Sequence, residues 1–457
     1  MAEAAAAAAR QARVAHLSID AGALEGGAEG GGLHAFEAAS QELQSPIAAV
    51  RQGAEATLMQ LRAPGMEAAQ HAIQTCREVL NSSAVPAAQF QAALTVRDVV
   101  MRDWHLLPSD ALASLREEML QTAINRVLTP PGAVPFVRQQ LLQLVALMYK
   151  RVWLSEEAAA AKEALLAQVT QMLGAADETA QSLGMQLLLA VLNEFSFTRL
   201  TAVGMTWEFH LHARYSFQQH SLLRFFGITV DWLRAWEARG GEGSEGAAAA
   251  LEMASVVLHW NFLSKEAAAA APTGGSVWAT ESAIKDEVLN APVSWRPVLT
   301  GEGGLGLLNV LFSGAARHRN NPHLARHYRE ALLGIARLGG GDLWESHAVR
   351  AGWQQAAIGG TLGWLQGLQE PPASGDHVRD ACALLLRLLG GGARAALCCW
   401  GDGGAEGARA VGVIAQVCVR ACALQNEDGS PYSSASDVRA AQEEWQHEAV
   451  LSALRLW

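Results

Sequence analysis

Positive charge is scarce: 34 lysines and arginines stand against 45 aspartates and glutamates, a formal net charge of −11. A chain of that sign carries no electrostatic footprint for a polyanion, so direct binding of DNA or RNA is not expected. An acidic surface suits basic protein partners and serves solubility equally well. The six cysteines, at positions 76, 383, 398, 399, 418 and 422, show no CxxC spacing and no regular framework, so reduced, buried thiols are expected. Cys418 and Cys422 lie one helical turn apart without a histidine or acid at matching spacing, which reads as core packing. No apolar run approaches the roughly 20 residues of a membrane span, and membrane insertion is not expected. Runs of β-branched residues and aromatic alternation are scarce as well, which argues against sheet.

Reactive constellations are also missing. Gly301, Gly303 and Gly306 in GEGGLG match the letters of a dinucleotide-binding fingerprint, but 43 glycines make chance matches cheap and no βαβ context surrounds them. His318, His323 and His327 form the densest histidine group, in RHRNNPHLARHYRE. The last two are spaced as i and i+4, yet HExxH is absent and neighbouring arginines oppose a cation, so the segment reads as a solvated loop between helices. Cys398 and Cys399 have no evident base beside them, and the P-loop pattern does not occur. No catalytic residue, cofactor or metal is therefore expected, and any nucleotide should arrive bound to a partner.

What the chain does have is length and helical composition. At 457 residues it exceeds what one hydrophobic core supports, so it must divide into domains or grow as a repeat array. Half of its residues are hydrophobic, and Ala, Leu, Gln, Glu and Arg recur throughout. Two blocks end alike, VVMRDWHLL around Trp104 and LMYKRVWLS around Trp153, 49 residues apart. Looser echoes follow in VLNEFSF around Phe195 and VLHWNFLS around Trp260. A period of roughly 40 to 47 residues with two helices per unit is the signature of HEAT and armadillo arrays. Each unit buries its apolar face only against its neighbours.

In FQAALTVRDVVMRDW, Phe90, Ala93, Leu94, Val100, Met101 and Trp104 share one helical face, while Gln91, Thr95, Asp98 and Arg102 share another. Arg97 interrupts the apolar stripe, which calls for a snorkelling stem or a local acid partner. Pro86 opens this helix at its first turn, and Pro108, Ser109 and Asp110 start the next. Pro135 opens a similar helix, in which Leu141, Leu142, Leu144, Val145, Leu147 and Met148 are apolar and Gln139, Gln143 and Lys150 form a polar stripe.

The expected fold is an all-α, right-handed solenoid of about eight HEAT-like hairpins in an open superhelical arc. Helix pairs are expected at 34–62, 66–104, 108–153, 156–196, 217–262, 293–338, 343–389 and 392–457. Residues 1–32 read as a disordered Ala/Gly-rich leader, 33–153 and 154–263 as two blocks of repeats, 264–292 as a flexible insertion and 293–457 as further repeats. Mobile loops are expected at Gly240–Ala250, Ala267–Gly275 and Asn426–Ser436. The apolar pattern LSALRLW at Trp457 lacks a polar cap, and a longer array is expected beyond it.

Several of these segments resemble the importin-β superfamily of nuclear-transport receptors. EAASQELQSPIAAVRQGAEATLMQLRAP and FQAALTVRDVVMRDW are similar to the N-terminal region that recognises the GTPase Ran. VRQQLLQLVALMYKRVWL, SLGMQLLLAVLNEFSF, MTWEFHLHARYSFQQHSLLRFFGITVDWLRAW and VLHWNFLS resemble the exportin branch. The resemblance is firm from about residue 36 to 263 and thinner afterwards, apart from VSWRPVL at Val293–Leu299.

It implies a receptor that shuttles between nucleus and cytoplasm, binding protein cargo together with Ran-GTP and passing the pore on phenylalanine-glycine nucleoporins. The cargo implied is hypusine-bearing translation initiation factor 5A. It also implies that 33–153 is the Ran-binding region and that second helices face the partner. Gln91, Thr95, Asp98, Arg102, Gln139, Gln143 and Lys150 are then candidate Ran-facing positions. A HEAT scaffold without a GTPase cycle, an import receptor and an α/α-toroid enzyme are the alternatives.

Overall fold

The computed structural model of the chain describes residues 31–129, 132–196, 205–241, 245–263, 291–300, 302–338 and 343–367, with Leu289 and scattered positions in 380–388. Among the described residues every regular element is helical, and the only β feature is an isolated bridge between Leu289 and Leu338. The fold is all-α and built of stacked helix pairs. It divides into two compact units, one ending at Ala213 and the other beginning at Arg214.

The first unit contains α1 (Gly31–Glu42), α2 (Ala48–Leu61), α3 (Met66–Ser82), α4 (Pro86–Asp103), α5 (Ser109–Leu128), α6 (Pro135–Arg151), α7 (Ala158–Leu173) and α8 (Glu178–Phe195). Local chemistry fixes several of the starts. Pro86 and Pro135 sit in the first turns of α4 and α6, where a missing N–H leaves no gap in the helix ladder. Asp177 caps α8 by accepting from the amides of Thr179 and Ala180, each at 3.2 Å. Gly65, at φ +118, supplies the turn between α2 and α3.

Each short connection folds a helix back onto its predecessor, pairing α1 with α2, α3 with α4, α5 with α6 and α7 with α8. The second helices then stack in a row, α4 on α6 and α6 on α8, with α1 against the other side of α4. Val96, Val99 and Val100, then Leu144, Val145 and Met148, then Leu187, Leu188 and Val191 run through this row with no exposed surface. Each such side chain contributes about 2 kcal/mol on leaving water. Between α3 and α5 the links are polar: Arg77 pairs with Glu118 at 2.6 Å, and Arg126 Nε donates to the Leu80 carbonyl.

Ala93, Val100 and Met101 of the apolar stripe expected on α4 are buried, but the stripe proves too narrow. Ala88, Ala92, Thr95, Val96 and Val99 are buried, whereas Phe90, Leu94 and Trp104 keep part of their surface. A helix covered by α3 on one side and by α1 and α6 on others is buried over a wide arc, and that blurs a single-face pattern. Trp153 is buried against Phe195, ring centroids 4.6 Å apart, and Trp104 lies under the Arg151 guanidinium at 5.5 Å.

In the chain that follows, α9 (Trp207–His220) crosses the division and forms a helix that the expected pairs did not include. Then come α10 (Leu222–Ala238), α11 (Glu245–Leu258), α12 (Arg296–Leu299), α13 (Glu302–Arg317), α14 (Pro322–Ile335) and α15 (His347–Gly367). Here α10 packs on α11 and α13, α11 on α14, and α13 on both α14 and α15. Phe217 is wedged between Phe225 and Trp260, at 5.2 and 6.0 Å.

The mobile loop expected at Gly240–Ala250 is corrected. Gly240 and Gly241 do turn the chain, at φ +108 and +62, but Glu245 opens a helix whose Ala247–Ala250 are buried. Alanine is the best helix former, and its small side chain lets neighbouring helices approach closely, so a Gly/Ala-rich stretch becomes packed helix rather than linker. Of the insertion expected at 264–292, Leu289 and Ala291 are buried, and the Leu289 amide donates to the Arg337 carbonyl at 2.6 Å. Of the leader expected at 1–32, Gly31 and Gly32 open α1, and the rest, with the loops at 267–275 and 426–436 and the pair at 392–457, lies outside the described residues.

Candidate protein-binding face of the second helices

The four candidate positions on α4 converge on one residue that the sequence did not single out. Arg62 follows the last residue of α2 and reaches across to α4. Its Nε donates to Thr95 Oγ1 at 3.2 Å, its Nη2 donates to Gln91 Oε1 at 3.3 Å, and its Nη1 lies 3.2 Å from Asp98 Oδ2. Asp98 Oδ1 also accepts from Arg97 Nε and Nη2 at 3.0 and 2.8 Å, the local acid that Arg97 required. Arg102 returns the link: its Nη1 donates to the Arg62 carbonyl and its Nη2 to the Ala63 carbonyl at 2.8 Å. The Arg102 guanidinium hydrogen-bonds Asp103 and holds that carboxyl below the usual carboxylate range.

This clasp satisfies the two carbonyls just beyond α2 and ties the end of α2 to α4. Thr95 is therefore wholly buried, not part of a water-facing stripe, while Gln91 and Asp98 are half-buried and Arg102 is exposed.

On α6 the three candidates part company. Lys150 is buried: its Nζ donates to the Glu194 carbonyl, lies 3.9 Å from Glu194 Oε2 and sits 5.7 Å from the Phe195 ring centroid. Burial, together with the Lys150 charge, pushes the nearby His210 imidazole down to about 4. A lysine at the C-terminal end of a helix reads as solvated until the carboxylate across the helix contact is known.

Gln139 is exposed and Gln143 half-buried, and both line a groove of about 260 Å³ between α6 and α8. Leu142, Leu189 and Ala190 give the groove apolar surface, Asn193 and Gln186 join its polar wall, and Arg138 and Glu194 also line it.

The remaining chemistry-bearing residues pack structurally. His318 is not in a solvated loop: it stacks on Trp236 at 5.3 Å and Tyr328 at 5.8 Å, with Nε2 3.4 Å from Glu237 Oε1. Glu237, buried at the end of α10, also pairs with Arg317 at 2.6 Å and accepts from the Tyr328 hydroxyl. His323 and His327 lie on α14, with ring centroids 5.0 Å apart and His327 facing Glu330. Among the described residues no group of three His, Cys, Asp or Glu side chains is placed to hold a metal ion. Gly303 and Gly306 of GEGGLG lie within α13, and among the described residues no strand precedes them. Cys76 is free and buried in α3, and burial pushes its thiol up to about 12.

The helix pairs thus stack their second members through an apolar seam and present polar side chains beside a groove. The pattern of the family described as Exportin-4 matches residues 31–340, more than half of the chain. The chain belongs to the Exportin-4 family. Exportins are karyopherin-type transport receptors. The match takes in all eight helices of the first unit and the second as far as α14, so the clasp at Arg62 and the α6–α8 groove both lie on family sequence. No helix among the described residues is long and apolar enough to cross a membrane.

Proposed function

We propose that this exportin-4 family chain is a nuclear export receptor that binds protein cargo cooperatively with Ran-GTP and releases both in the cytoplasm. The family match over 31–340 is the observation that carries this reading. Physical chemistry supports it: stacked helix pairs form a spring-like wall, and two partners that each favour the same curvature bind cooperatively through one conformational free energy. The cargo proposed is a basic protein, by family hypusine-bearing translation initiation factor 5A, and the net charge of −11 supports a basic partner.

Within the proposed Ran-facing set, the accessible members are Gln139, Gln143 and Arg102, with Gln91 and Asp98 partly so. Thr95 and Lys150 act behind them as supports. A cleft of about 310 Å³ between α3 and α5, with Ile73, Leu107, Leu112 and Leu115 in its wall, is the proposed seat for phenylalanine side chains of the pore. Such contacts are individually weak and gain by repetition.

The test is binding of the purified chain to Ran loaded with a non-hydrolysable GTP analogue or with GDP, with and without the initiation factor. The expected result is preference for the GTP form, strengthened by cargo. Equal binding of both forms removes the export reading and leaves a HEAT scaffold, and release of cargo by Ran-GTP makes the chain an import receptor.

A further inference from the structure

We propose that His323 and His327 form a two-histidine site for a transition-metal ion, Zn²⁺ or Cu²⁺, on the surface of α14, with Glu330 behind His327 as the carboxylate that orients it. The site goes beyond the transport reading and does not depend on it.

Residues i and i+4 stand one turn apart on one face of a helix, so two histidines at that interval can grip one ion between them. No other two of the 14 histidines stand three or four residues apart. Sequence alone opposes a cation here on two grounds, a solvated loop and neighbouring arginines, and the structure removes both. His323 and His327 lie in the first two turns of α14, a regular helix over Pro322–Ile335. The arginines are neutralised by acids: Arg326 Nε donates to Glu330 Oε1 at 2.8 Å, and Arg329 Nε donates to Asp380 Oδ2 at 2.7 Å.

The ring separation is the one that a shared ion requires. A metal–imidazole bond of about 2.0 to 2.1 Å, with the ring centre about 1.2 Å further on, puts two rings about 4.5 to 5.4 Å apart at ligand angles of about 90 to 110°. The centroids of His323 and His327 are 5.0 Å apart. The backbone of α14 therefore holds the pair at chelating distance, and only side-chain rotation is left to complete the site.

The two histidines differ in exposure, and the difference suits their roles. His323 is exposed to an incoming ion, whereas His327 keeps 14% of its side chain exposed. Its Nδ1 is buried and faces Glu330 Oε2 at 3.7 Å, so that Glu330 gives one oxygen to Arg326 and turns the other to His327. A carboxylate beside one ring nitrogen favours the proton there and leaves the other nitrogen as the ligand, the usual arrangement behind a metal-binding histidine. At 3.7 Å the contact is longer than a hydrogen bond. A metal on the far nitrogen makes Nδ1–H a stronger donor and is expected to shorten it. Among the described residues no third His, Cys, Asp or Glu completes the set, so water fills the other positions and the ion is exchangeable. Imidazole ligands at such an open site favour Cu²⁺ over Zn²⁺.

Calorimetric titration of Zn²⁺ into the chelator-treated full chain, with paramagnetic resonance of added Cu²⁺ in parallel, tests the site. The expected result is a saturable site for a single ion, lost in His323→Asn and in His327→Asn, with nitrogen couplings from two imidazoles on Cu²⁺. Glu330→Gln leaves both ligands in place and should weaken binding about tenfold. Because His323 is exposed, its replacement leaves the fold intact even if that of His327 does not, and circular dichroism of all three variants checks this. Absence of a saturable site, or an unchanged affinity in His323→Asn, overturns the proposal and leaves adventitious binding only. An unchanged affinity in Glu330→Gln overturns the orienting role of that carboxylate.

Discussion

Lys150 and Glu194 meet inside the first unit, each with about one-twentieth of its side chain exposed, and join α6 to α8 by an ion pair at 3.9 Å and a hydrogen bond to the Glu194 carbonyl. Two charges taken out of water attract strongly but repay their desolvation only while both remain. Replacement of one partner leaves a buried charge without its counter-ion. Lys150→Met is expected to destabilise the protein by about 3 to 5 kcal/mol, and the double replacement Lys150→Met, Glu194→Met by much less. Urea unfolding of the two single variants and the double variant measures the difference, and an additive double variant would contradict the pairing.

Arg62 organises three acceptors on α4, and its loss should therefore act at a distance. Arg62→Ala removes the donors to Thr95, Gln91 and Asp98 and is expected to cost about 2 kcal/mol, because charge-assisted bonds exceed neutral ones and the vacated acceptors are partly buried. Amide hydrogen exchange should rise across α2, whose tie to α4 is reduced to the Arg102 bonds to main-chain carbonyls, while α6 and α8 keep their protection. Uniform exchange over the whole first unit would instead mean that Arg62 supports a global fold and not a local clasp.

Helix content, the starts at Pro86, Ser109 and Pro135 and the paired arrangement of the first unit were legible in the sequence, because proline position and apolar periodicity are local properties. The polar stripes were legible only as residue types. Whether Thr95 or Lys150 faces water depends on Arg62 and Glu194, which lie 33 residues before and 44 residues after them. The same limit hid the packing of His318, whose stacking partners Trp236 and Tyr328 sit on two other helices. Ala247–Ala250 was misread for a different reason: low complexity signals a linker only when nothing packs against it, and α14 does.

Glycine offers a paired test of packing on the two kinds of helix surface. A Cβ at Gly334 would stand 2.7 Å from Leu258 Cβ, where α14 crosses α11, whereas a Cβ at Gly53 in α2 meets nothing within 4 Å. Gly334→Ala should destabilise by about 1 to 3 kcal/mol through forced separation of the two helices. Gly53→Ala should stabilise by about 0.5 to 1 kcal/mol, since alanine lowers the entropy of the unfolded chain and suits a helix interior. Thermal melting of both variants gives opposite signs if the close approach of α11 and α14 is right, and matching signs if it is wrong.

His210 links the buried pair to pH. Burial and the Lys150 charge lower its folded pKa to about 4, against an ordinary value near 6.5 in the unfolded chain, so between these values the unfolded state binds more protons. Stability from this residue is complete above about pH 6.5 and declines as pH falls towards 4. His210→Phe should flatten that part of the stability–pH profile, because a ring of similar size without a titrating nitrogen keeps the packing and loses the proton linkage. Carboxylates also titrate at the acid end of this window, so the decisive quantity is the difference between wild type and variant between pH 5 and 6.5, where histidine alone changes charge by its ordinary pKa. An identical slope in the two proteins would show that His210 meets water, and that Lys150 is not enclosed on that side.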